Sequence, residues 1–77
     1  MSWGLSFGRV ASAHRRDRPQ GTCIVTLRRR NFTEVSAETR ETVVRSLEVL
    51  ALTQVAHELR MPGAPLVKEV VFEIEEG

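Results

Sequence analysis

Apolar residues alternate with small or polar ones at the start of the chain. Trp3, Leu5 and Phe7 point one way and Gly4, Ser6 and Gly8 the other, which predicts a first strand over residues 2–11. Residues 12–21 (SAHRRDRPQG) carry no apolar period and close on Pro19-Gln20-Gly21, so they read as a polar loop or the tip of a long hairpin. Residues 22–30 (TCIVTLRRR) are rich in β-branched side chains and predict a second strand. Its inward row is Cys23, Val25 and Leu27, and its outward row is Ile24, Thr26, Arg28 and Arg30. A short connection takes up residues 31–35.

The period then changes from two to 3.6. No Gly or Pro interrupts residues 36–60, with Thr33 or Ser36 as the N-cap, Glu38 and Glu41 in the opening turns, and Met61-Pro62-Gly63-Ala64-Pro65 as the stop. Alternation returns over residues 66–75, with Val70, Phe72 and Ile74 facing in and Glu69, Glu73 and Glu75 facing out beside Val67 and Val71. The order is β-β-α-β. This predicts an α+β domain: a three-stranded sheet with one long helix on one face, the last two strands parallel and joined through the helix.

The helix carries more apolar surface than such a sheet covers. Val43, Val44, Leu47, Leu50, Ala51 and Val55 form one broad side. Val49, Leu52, Ala56 and Leu59 form a second row opposite, with Thr42, Ser46, Thr53, His57 and Arg60 between. Either the N-terminal strand or the 61–65 loop wraps over this second row, or it packs on another helix, most simply that of a second copy. The second course makes Val49, Leu52, Ala56 and Leu59 a homodimer interface. A chain of 77 residues supports it, because a core this small is marginal and gains from a staple. With Cys23 as the only cysteine, that staple is not an internal disulfide; Cys23, His14 and His57 lack metal-ligand spacing, so no metal and no cofactor are expected.

The net charge of +1 hides two halves of opposite sign within one domain. Residues 1–31, the basic hairpin half, hold seven Arg and one Asp; residues 32–77, the acidic helix–strand half, hold nine Glu against three Arg and one Lys. Arg28 and Arg30 are placed to oppose Glu69, Glu73 and Glu75 on a neighbouring strand. The 14–18 loop has no acidic neighbour of that kind. Arg15, Arg16 and Arg18, with Arg28 and Arg30, are therefore the candidate contacts for an acidic partner. Arg outnumbers Lys ten to one, through selection for bidentate contacts or through codon bias.

Enzymatic chemistry finds little support. Cys23 reads as a small apolar residue of an inward row, although a pairing with His14 across the hairpin is geometrically open. His57 reads as a solvated helix residue. No phosphate-cradling loop, nucleophile elbow or metalloprotease motif is present. No apolar run approaches the ~20 residues of a membrane span. The first nineteen residues faintly resemble a transit peptide in composition, but their alternation favours a strand. The lone cysteine favours a reducing, cytoplasmic setting, where the Asn31-Phe32-Thr33 glycosylation triplet has no meaning. These features predict a small non-enzymatic adaptor or inhibitor acting by protein contact, with a nucleic-acid-binding module built on the Arg-rich hairpin as the alternative. A pI of about 8.0, the nine glutamates and the want of stacking aromatics weigh against that alternative.

Overall fold

A computed structural model describes residues 3–30 and 35–76. It is an α+β fold in which one helix packs on a four-stranded sheet: β1 (Gly4–Phe7), β2 (Ala11–Asp17), β3 (Thr22–Arg29), α1 (Ala37–Glu58) and β4 (Glu69–Glu76). The strands lie in the order β1-β2-β3-β4, antiparallel except for the parallel β3–β4 pair that α1 connects.

The expectation of three strands is corrected to four. What reads as one strand over 2–11 is broken at Gly8, whose φ of 63° is left-handed backbone that a side chain disfavours. The segment 12–21, expected as a loop, is mostly β2. Its helix-facing residues are Ala11, Ala13, Arg15 and Asp17, a row too small and too charged to register as apolar periodicity. Ala11 and Ala13 are nonetheless fully buried, and their small side chains let α1 lie close over β2 and β3.

Register lines up the core. Leu5, Ala13, Leu27 and Ile74 form one row across the sheet, and Arg15, Val25 and Phe72 the next. The predicted inward row of β3 holds: Cys23, Val25 and Leu27 are completely buried, under Val43, Val44, Leu47, Ala51 and Val55 of the helix. Ile24, expected to face outward into solvent, does lie on the opposite face but is buried there between its register neighbours Arg16 and Val71. Leu50, assigned to the core side of the helix, is 48% exposed. Ile74, assigned inward, is 53% exposed, because α1 lies over β1, β2 and β3 and leaves the β4 side of this face open.

Ser36 is the N-cap: its backbone is extended and its Oγ accepts from the Thr39 N–H at 3.2 Å. Thr33, the alternative cap, and the Asn31–Thr33 triplet lie outside the described residues. Gly21 sets where β4 begins. Its φ of 87° turns the chain into β3, and its carbonyl accepts from Lys68 N at 2.8 Å and Glu69 N at 3.3 Å. A Cβ there would stand 3.1 Å from the Leu66 carbonyl oxygen.

The molecule is elongated, 43 × 19 × 15 Å, with a radius of gyration of 13.3 Å, where a compact domain of this length has ~11.5 Å. It exposes 5416 Å², against roughly 4,700 Å² for a folded monomer of its mass.

Candidate functional site

Two surfaces and one buried cluster gather the residues that the sequence singles out. The cluster centres on Arg15. Its strand position turns it under the C-terminal end of α1, where only 3% of it is exposed. Its guanidinium grips Asp17 bidentately, Nε donating to Oδ1 at 2.8 Å and Nη2 to Oδ2 at 3.1 Å, and Nη1 donates to Glu58 in the last turn of the helix. The Trp3 ring lies 5.9 Å from its Cζ. The expectation that Arg15 meets an outside partner does not fit this position, since its charge is spent inside the fold.

Arg15, Asp17 and the neighbouring Cys23 tune one another. Burial works against the Arg15 charge, but the Asp17 hydrogen bond and the nearby carboxylates outweigh it and hold the guanidinium above its usual range. The Arg15 hydrogen bond holds the Asp17 carboxyl below its usual range despite partial burial. Burial, with Asp17 adding to it, pushes the Cys23 thiol up, although Arg15 pulls the other way. Cys23 is a buried neutral thiol, unlike an activated nucleophile. His14 lies on the opposite face, exposed and level with Thr26.

A second clip joins the helix start to the sheet: Arg29 Nη1 donates to Glu41. The same end forms a cleft of about 230 Å³ lined by Arg29, Arg30, Ala37, Arg40 and Glu41. Sequence reading misses Arg29 and Arg40 here, because their convergence depends on how the helix start docks. Among the described residues no group of three acids, histidines or cysteines is arranged to hold a metal, and no helix is long and apolar enough to cross a membrane.

The first surface is the outer side of α1. Val49, Leu52, Ala56 and Leu59 are all exposed, Val49 by 62%, and neither the N-terminal strand nor the 61–65 turn covers them. The second is the sheet face away from the helix, with His14 and Arg16 on β2, Arg28 on β3, and Glu69, Glu73 and Glu75 on β4. Arg28 reaches Glu75 across the strands at 3.4 Å, the pairing that the charge pattern predicts, and both side chains are half exposed. Arg30 is exposed rather than paired across the sheet. Arg16 and Arg18 are exposed near the β2–β3 turn.

Compared with known proteins, the chain matches no family model, no curated protein and no solved structure.

Proposed function

We propose that this is a small non-enzymatic binding protein that acts by protein contact, as an adaptor or inhibitor, and that it works as a homodimer through the outer side of α1. The carrying observation is the row Val49, Leu52 and Leu59, which stays exposed after the fold has closed. Shielding side chains of this kind contributes about 1 kcal/mol each before association entropy is subtracted. The surplus of exposed surface over a compact monomer, roughly 700 Å², is near the ~800 Å² that each partner gives to a standard interface.

A second copy laid antiparallel on this side of the helix opposes the two helix dipoles and, about a centre between Val49 and Leu52, sets Arg60 of one copy level with Glu41 of the other. With Val49 against Leu52 at the centre, the stem of Arg45 lies over the small Ala56 of the other copy. The exposed Arg16, Arg18 and Arg30 remain for an acidic protein partner, with Arg28 beside them on its Glu75 contact. The lone buried thiol is compatible with a reducing, cytoplasmic setting.

Size-exclusion chromatography with light scattering at tens of micromolar tests the dimer. Twice the 8.7 kDa chain mass is expected, and a chain mass at every concentration overturns it.

One observation favours nucleic acid as the second reading. Arg9, Arg16, Arg18 and Arg30 are exposed and have no ion-pair partner among the described residues. This reading expects duplex or single-strand binding that weakens steeply with salt and a flatter slope after Arg16→Ala and Arg18→Ala. Absence of binding at low salt removes it.

A further inference from the structure

The geometry points to the open edge of β4 as a docking site for an extended segment of another protein, one that alternates apolar residues with Arg or Lys. Three features of β4 combine. It is the terminal strand of the sheet, bonded only to β3, so a row of backbone N–H and C=O groups eight residues long faces outward. On its helix side Val70 and Phe72 are only half-buried and Ile74 is 53% exposed, although Leu27 beside Ile74 is fully buried. On its other side Glu69, Glu73 and Glu75 stand exposed in a row, and Glu69 and Glu73 have no ion-pair partner among the described residues.

A bare apolar edge of this length is a hazard that folds blunt or cover. The glutamates keep like edges apart: two β4 strands paired antiparallel about Phe72 set Glu69 against Glu75. They therefore select against a second copy at this edge and in favour of a strand of opposite charge. An added strand continues the ladder, its apolar side chains covering Val70, Phe72 and Ile74, its basic ones meeting the glutamates. Backbone bonds supply attachment and the two rows supply selectivity. This inference is independent of the helix-mediated dimer, since it uses another part of the surface.

The test uses the full chain and a fluorescent, end-blocked octapeptide of alternating valine and arginine, read by anisotropy at physiological salt. Saturable binding is expected. N-methylation of one alternate set of peptide amides should abolish it, while methylation of the other set, which faces away, is tolerated. Glu73→Arg, at an exposed position, should weaken binding about tenfold without moving the thermal midpoint by more than a degree or two. A block peptide of four valines and four arginines should bind more weakly. Equal binding of both methylated peptides and of the block peptide overturns the inference, because simple charge attraction then suffices. No binding at a hundred micromolar peptide also overturns it.

Discussion

The guanidinium of Arg15, on the second strand, is hydrogen-bonded to the carboxylate of Glu58, forty-three positions later at the end of the helix. Glu58 sits where the helix dipole disfavours negative charge, and Arg15 offsets that. Arg15→Ala leaves Asp17 and Glu58 without their shared cation and opens space beneath Trp3. A loss of about 2–4 kcal/mol is expected from urea melts, a large share of what a domain this small holds. Arg15→Lys keeps the charge but loses the bidentate grip, and should fall between the two.

Acid should loosen the same cluster. The folded state holds the Asp17 carboxyl below its unfolded value, so this contribution is complete above about pH 4. It is lost as pH falls through the folded-state value. Asp17→Asn should lower stability at neutral pH and flatten the decline below about pH 4. Thermal midpoints of both proteins across that range check it; parallel curves would show that other carboxyls govern the acid limb.

The proposed helix-mediated dimer predicts a melting temperature that rises with protein concentration. Leu52→Glu, which sets two like charges near the two-fold axis, should weaken dimerisation roughly tenfold or more. Secondary structure should be preserved, because Leu52 is exposed in the single chain. Sedimentation equilibrium of wild type and variant distinguishes the outcomes.

Alkylation of Cys23 should track unfolding. The thiol is fully buried and burial disfavours its thiolate, so iodoacetamide reacts only with opened molecules. The rate should rise with denaturant in step with the unfolded fraction, and a fast reaction in native buffer would contradict a purely structural Cys23.

Removing the helix cap should be mild and local. Ser36→Ala takes away the acceptor for Thr39 N–H and should cost about 1 kcal/mol. Faster amide exchange confined to the first helical turn would accompany it.

The sequence was most legible where one period ran unbroken. The row Cys23, Val25, Leu27 and the helix stripe from Val43 to Val55 read directly, because large apolar side chains recur at the spacing of their element. The second strand did not, because alanines mark its buried side and the next residue in the row is an arginine whose burial depends on Asp17, two positions on, and on Glu58 at the far end of the helix. Exposure of Leu50 and Ile74 was equally hidden: both have the right phase, and only the placement of the helix decides which phase-correct residues are covered. Of the candidate contacts, Arg16, Arg18, Arg28 and Arg30 stand on the surface as expected; the inward turn of Arg15 could not be inferred without knowing that its loop was a strand.

Gly21 also fixes sheet polarity. With the strand period at two, sliding β4 by a single residue would drive Glu69, Glu73 and Glu75 toward the greasy layer beneath the helix and strand Val70, Phe72 and Ile74 in water. The carbonyl of Gly21 anchors the strand at its first residue. A methyl group at that spot would press on the 66–68 segment, so one hydrogen atom in place of a side chain guards the sorting of two whole faces.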